Sequence, residues 1–529
     1  MNPVASLNEL ASPAEVVSAP SAAQAAPWTA DLGDGRYRNP VLWADYSDPD
    51  VVRVGDEYFM TASSFNCTPG LPILRSRDLV NWRLVNHAVQ NLPHPRFDLV
   101  QPGCGVWAPA IRHHQGKFWI FFAMPDEGIF VVTATDPCGR WSEPRLVQAG
   151  RGLIDPCPLW DDDGQAYLVS AFAFSRSGVR HRLQVARMAP DASCLLDEGR
   201  IVYEDPEKHP TIEGPKFFKF DDWYYILAPA GGVDTGWQTA LRSRSVFGPY
   251  EDRVVLAQGE TAINGPHQGG LVDATDGSWW FLHFQDAGVY GRVVHLQPVE
   301  WRDGWPLMGR LRDPARPGEP VADFASPLLA PHRAPEVPQT TDDFDSPALG
   351  LQWQWNANHC DDWCSLAERP GWLRLHAEPA PHGILSSAPR LLLQKFPAPA
   401  FAATTLVDLP QESGDLRAGL IVAGRSSAGI LVSRSEGVPL IEQFVQDETA
   451  PPPPRSHGAA AAGLDQPTWL RVEVALGGLC QFSYSFDGRE FIELGRPFPA
   501  TAGHWIGARV GLAALGSAGF ADFDFLRIE

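Results

Sequence analysis

A unit of about fifty residues recurs five times between residues 46 and 300, and no other feature constrains the fold as tightly. Each copy opens on a Pro-containing motif and a short apolar strand, passes a polar turn, and continues in a strongly aromatic strand. The first opens at Asp48-Pro49-Asp50 and turns at Gly55-Asp56 into Tyr58-Phe59-Met60-Thr61. The second opens at Trp107-Ala108-Pro109 and turns at Gln115-Gly116 into Phe118-Trp119-Ile120-Phe121-Phe122. The third opens at Asp155-Pro156 and turns at Asp163-Gly164 into Tyr167-Leu168-Val169. Glu213-Gly214-Pro215 opens the fourth, which turns at Asp221-Asp222 into Trp223-Tyr224-Tyr225. Gly265-Pro266-His267 opens the fifth, which turns at Asp276-Gly277 into Trp279-Trp280-Phe281-Leu282. One such sheet cannot cover both of its apolar faces, but sheets stacked radially cover one another. Five copies therefore predict a five-bladed β-propeller over residues 31–310, with a many-hairpinned β-sandwich as the competing arrangement.

Residues 311–341 are rich in Pro, Arg and Asp and read as a linker. A second all-β region follows over 342–529, with alternating strands such as Trp469-Leu470-Arg471-Val472-Glu473-Val474. Short strands between turns predict a C-terminal β-sandwich of jelly-roll or lectin-like kind. The four prolines within Ala450–Gly463 predict an exposed loop there. Residues 1–30, rich in Ala, Ser and Pro, read as a disordered tail. Ala23-Gln24-Ala25 looks like a leader cleavage site, yet the segment has no basic start or apolar core, so localisation stays open between cytoplasm and periplasm.

A net charge of −21 argues against nucleic acid and against anionic lipid surfaces, both of which need cationic partners. A neutral saccharide raises no such objection, and 19 Trp provide rings that can pack on sugar C–H faces or fill cores. No apolar run reaches the length of a membrane span. The eight cysteines form no Cys-x-x-Cys pair, so a structural zinc is not expected; Cys360 and Cys364 could pair across a turn, with free buried thiols preferred.

Propeller geometry brings the starts of the innermost strands together around one axis. Three of the five starts carry an acid, namely Asp48, Asp155 and Glu213, while the others carry Trp107 and His267. Three carboxylates in one funnel repel each other and shift each other's pKa values, an arrangement that function can use. Glycoside hydrolysis needs such a set: one acid kept protonated for the leaving oxygen and one ionised carboxylate. Inverting enzymes hold the two about 6.5–9.5 Å apart and retaining ones about 5 Å. Against this stands the ordinary use of Asp-Pro and Gly-Pro in strand-opening turns. For His267, ligand, substrate contact and packed core residue all remain open.

The strings Tyr46-Ser47-Asp48-Pro49-Asp50, Val106-Trp107-Ala108-Pro109, Ile154-Asp155-Pro156, Ile212-Glu213-Gly214-Pro215 and Gly291-Arg292 together resemble family 43 of the glycoside hydrolases. The resemblance is to its two-domain β-xylosidase and α-L-arabinofuranosidase members and covers nearly the whole chain beyond the tail. It implies an inverting mechanism with Asp48 as general base, Glu213 as general acid, and Asp155 orienting that acid and raising its pKa. It further implies that Phe65 and Trp107 wall the pocket for the terminal sugar and that Arg292 binds its hydroxyls. His267 would contact substrate or lie near a structural calcium on the propeller axis; no cofactor is needed for the chemistry. Ser47 stands where many relatives have His or Ala. The sandwich is expected to lean over the propeller mouth, which favours exo cleavage.

The expected function is release of xylose from the non-reducing ends of β-1,4-xylo-oligosaccharides. An α-L-arabinofuranosidase, or an enzyme of both activities, is the nearest alternative. A retaining furanosidase and a non-catalytic carbohydrate-binding propeller are more distant ones. The expected partner is a small oligosaccharide, with self-association into a homo-oligomer left open.

Overall fold

The computed structural model describes residues 26–313, 315–328, 335–411, 414–435, 438–448, 455–461 and 466–529. Five four-stranded antiparallel sheets follow one another along the first part of the chain, each built from consecutive strands in sequence order. Their innermost strands are Asp50–Val54, Trp107–His114, Leu153–Trp160, Lys216–Phe220 and His267–Asp273. The expected five blades are thus present, one from each copy of the unit.

The second strand of each blade explains why the sheets stack. Successive side chains on a strand point to opposite faces. In Lys117–Met124, Phe118, Ile120 and Phe122 enter the core shared with blade one, whereas Trp119 and Phe121 enter the core shared with blade three. The same alternation sends Tyr167 and Val169 towards blade four and Leu168 towards blade two. It sends Phe281 towards blade four and Trp280 and Leu282 towards blade one. A strand apolar on both faces is therefore what a radial stack requires.

The ring closes by packing and by a short bridge, since among the described residues no strand is exchanged between the first and last blades. Leu42 and Val294 exchange backbone hydrogen bonds at 3.3 and 3.1 Å. Arg36–Arg38 pairs with Asp323–Ala325, which lies in the expected linker. That segment follows the propeller surface: Gly318 bridges to Leu256, and Gln339 Nε2 donates to Leu84 O at 3.2 Å. Residues 26–30, expected within the tail, also pack on the propeller. Trp28 donates to Pro40 O at 3.0 Å and lies 5.1 Å from the Trp43 ring. The earlier part of the expected tail, 1–25, lies outside the described residues.

The C-terminal region forms two facing antiparallel sheets around one core, the expected sandwich. Strand Thr468–Ala475 shows its logic, with Leu470, Val472 and Val474 inward and the intervening residues outward. Residues 455–461, expected in a loop, instead form a strand paired with Val438–Gln446; the prolines 451–454 lie outside the described residues. All eight cysteines are free, and the expectation of buried thiols holds for Cys67, Cys157 and Cys480 but not for exposed Cys138, Cys194 and Cys360. No helix among the described residues is long and apolar enough to cross a membrane.

The sandwich is sewn to the propeller beside its axis. Thr68 and Trp355 exchange backbone hydrogen bonds at 3.1 and 2.6 Å, and Asn66 Nδ2 donates to Asn356 O at 2.8 Å. Asp45 accepts from Arg292 N through one oxygen and from Gly507 N through the other, both at 2.9 Å. Gly507 is required at this seam, because a Cβ there would lie 2.5 Å from Tyr290 O.

Candidate active site

At the inner strands of blades one, three, four and five the backbone passes through the left-handed region at or beside the residue that opens the unit. Asp48 has φ 56° and Asp155 has φ 55°, both in the left-handed region that non-glycine residues avoid. In blade four the reversal falls one residue later, on Gly214 at φ 57°, and frees Glu213 to adopt an ordinary backbone. A Cβ on Gly214 would meet Gln268 Cδ at 2.7 Å. Strained residues of this kind persist where surrounding structure holds them, and they cluster at functional sites.

Asp48, Asp155 and Glu213 all line one cavity of about 390 Å³ at the axis. Phe65, Trp107 and Arg292 line the same cavity, with the Phe65 and Trp107 rings 6.4 Å apart in an edge-on arrangement. His267 does not. It is buried behind the wall with Nε2 3.6 Å from Glu213 Oε1, and its neighbour Gln268 takes the lining position. His267 thus stands beside the acid Glu213, behind the lining, while Gln268, at φ 45°, presents itself to the cavity.

The carboxylates have different surroundings. Asp48 Oδ1 accepts from Arg292 Nη1 at 3.0 Å; its Oδ2 accepts from Ser63 Oγ at 2.6 Å and from Ser47 Oγ at 2.9 Å. Both oxygens are thus engaged, one by a guanidinium and one by two hydroxyls. The Ser47 hydroxyl also accepts from Arg292 Nη1 at 2.8 Å and so links cation and carboxylate. Asp155 is raised to about 7, chiefly by burial and then by the charge of Asp48, against the hydrogen bond its Oδ2 accepts from Gly214 N at 2.8 Å. Glu213 is raised to about 8 by its depth in the protein, then by Asp155 and Asp48, while Arg292 opposes the shift. Its side chain keeps 27% exposure, which leaves its carboxyl open to the cavity.

One wall comes from the other domain. Trp505, on the loop leading into strand Arg509–Leu515, lines the cavity with its ring centroid 5.5 Å from the Arg292 guanidinium. The Phe284 ring lies 4.7 Å from the same guanidinium, so Arg292 is held between aromatics as well as by Asp48. Sequence reasoning missed Trp505, Ser63 and Gln268. Trp505 belongs to no repeated unit, although a Trp beside His504 between Gly503 and Gly507 marks an aromatic on a permissive loop.

The calcium implied near His267 can be tested against the donors present. Both ring nitrogens of His267 are buried without a hydrogen-bond partner, and burial followed by Arg292 lowers its pKa to about 3, leaving a neutral ring. Calcium takes six to eight oxygen ligands. No group of three or more His, Cys, Asp or Glu able to hold a metal exists among the described residues. These side chains do not fit a protein-built calcium site.

The pocket therefore holds three acids, two of them raised, on a propeller, with an aromatic from the sandwich at its wall. Residues 37–306 match the family described as Glycosyl hydrolases family 43, and 341–529 match the Beta xylosidase C-terminal Concanavalin A-like domain. The chain belongs to family 43 of the glycosyl hydrolases. It is 42% identical to a putative beta-xylosidase of Xylanibacter ruminicola over 91% of this chain and 86% of that one. It is 31% identical to a non-reducing end alpha-L-arabinofuranosidase of Bacteroides ovatus, over 80% of this chain and 81% of that one. The solved Bacteroides ovatus Xyloglucan PUL GH43B superposes with a TM-score of 0.82 at 27% identity, covering 93% of this chain and 99% of that one.

Proposed function

We propose that the enzyme releases xylose from the non-reducing ends of β-1,4-xylo-oligosaccharides with inversion of configuration. The observation that carries this reading is the split among the three acids: one held by a guanidinium and two hydroxyls, two pushed upward in the same cavity. Asp48 is the general base. Its oxygens are fixed by Arg292, Ser47 and Ser63, so it can take a proton from water without reorienting. Glu213 is the general acid, protonated at neutral pH because charge is disfavoured at its depth and beside Asp155. Asp155 works through Glu213: its negative charge raises the acid, and its bond to Gly214 N holds the segment that carries it. Phe65, Trp107 and Trp505 pack against the terminal sugar, and Arg292 donates to its hydroxyls. No step runs through a cation.

A pocket of this volume with a cap from the second domain suits one terminal sugar rather than a continuous chain, which supports exo action. We divide the chain accordingly into a catalytic propeller over 31–310, a connection over 311–341 and a capping sandwich over 342–529. The named xylosidase relative favours xylose. The arabinofuranosidase relative supports the second reading, in which the same pocket takes arabinofuranosyl ends.

Initial rates on p-nitrophenyl β-D-xylopyranoside and α-L-arabinofuranoside decide between the two sugars. NMR of the first-formed anomer tests the mechanism, and a retained anomer overturns it. Glu213→Gln should lose several orders of magnitude in kcat on xylobiose, and less on a substrate whose leaving group needs no proton. Equal losses on both would remove Glu213 from the acid's role.

A further inference from the structure

A second cavity, of about 220 Å³, lies back to back with the catalytic one across the seam between the domains. The two share a wall of alternating residues. Phe65 and Trp505 face the catalytic cavity, whereas their neighbours Asn66, His504 and Ile506 line the second. At its base sits Arg509, only 8% exposed. Its Nη1 donates to the Cys67 sulfur at 3.0 Å and its Nη2 to Asn356 Oδ1 at 2.7 Å. Its Nε is buried and has no acceptor. A buried donor left unmade is costly, so this guanidinium, which lines the cavity and is only partly satisfied by protein groups, favours a ligand that brings acceptor oxygens to it.

The remaining lining indicates what kind of oxygen. Arg425 supplies further donors at the rim and Glu448 supplies acceptors. His504 has a pKa lowered by burial and by Arg425, so its neutral ring offers one donor and one acceptor. Val100 and Leu391 add apolar surface. A carboxylate or phosphate would satisfy Arg509 but face Glu448. A polyol hydroxyl both donates and accepts, and a pentose ring has an apolar C–H face.

We propose that this cavity binds a single free pentose, the product class of the neighbouring site, and that its occupancy acts on catalysis by holding the Trp505 loop. The identity of the sugar rests on the function proposed above. With the sugar in place, His504 and Ile506 are fixed from behind, and Trp505 stays closed over the catalytic pocket. Product then leaves more slowly.

Initial rates of the full-length enzyme at increasing D-xylose, with L-arabinose as a second arm, test this. Binding in the catalytic pocket alone raises KM and leaves kcat unchanged. Binding in both lowers kcat as well, by about fivefold at saturation, the low end of usual coupling between sites. Arg425→Ala and Glu448→Ala, which lie outside the catalytic pocket, should return the pattern to purely competitive while keeping the product-free kcat. A purely competitive pattern in the unaltered enzyme, or a mixed pattern that survives in both variants, overturns the proposal. Should neither pentoside be hydrolysed, the functional reading fails first. D-xylose soaked into crystals then tests the cavity alone, with sugar density beside Arg509 expected and solvent alone there overturning it.

Discussion

Asp155 and Glu213 share one electrostatic environment, and in the proposed mechanism their titration should set the alkaline side of the pH profile. Glu213 must carry a proton, so kcat should fall as pH climbs through the 7–8 range where the pair loses protons. Asp155→Asn removes a negative neighbour, which lowers the pKa of Glu213. The alkaline limb should therefore move to lower pH, as a pH–rate profile will show; an unmoved limb would detach Asp155 from the acid. The same shift has a stability consequence. A carboxyl whose folded pKa lies above its unfolded value favours folding most below the unfolded value, near 4.5, and loses that contribution as pH rises through about 8. Glu213→Gln, which has no charge to bury, should melt above the parent enzyme at pH 9, with the gap closing towards pH 4.

At the scale of elements, the blades and their acids were legible because they repeat. Asp48, Asp155 and Glu213 stand at matching points of a unit whose strand spacing is written in Gly, Asp and Pro turns. The residues that complete the pocket do not repeat, and they reach it through tertiary packing. Ser63 reaches Asp48 from the far side of a hairpin, and Trp505 arrives from another domain on a loop fixed by Gly507 and Asp45. Gln268 was missed for a related reason: His267 holds the matching position in the unit, and it is the next residue, at φ 45°, that lines the cavity. The Gly507 contact can be tested directly. Gly507→Ala puts a methyl where Tyr290 O lies 2.5 Å away, which displaces the Trp505 loop. We expect KM to rise roughly tenfold with a smaller change in kcat, since displacement of positioning groups weakens the pocket without touching its acids. An unchanged KM would show that Trp505 does not bear on the sugar.

For the whole molecule, acid stability follows from a set of buried imidazoles. His87, His267, His283 and His295 are at most 4% exposed. Burial lowers the first three to about 3, 3 and 4 and the last well below its ordinary value. Each must stay neutral in the folded chain but can accept a proton in the unfolded chain near pH 6.5. Stability they support is therefore complete above about 6.5 and lost as pH falls towards 3–4. Melting temperature should decline through that window, and His295→Gln should flatten the decline where titration of the imidazoles dominates.

Asp45 and Gly507 touch across 462 positions of sequence, and Trp505 is placed by that contact. A ribosome that has just made all five blades has therefore not yet made a working enzyme. The acids all lie on propeller segments, but Trp505 over them waits for the last strands of the sandwich to be translated and docked. Activity in this architecture should appear late and abruptly during synthesis, so that a truncated nascent chain is catalytically quiet even with its acids in register.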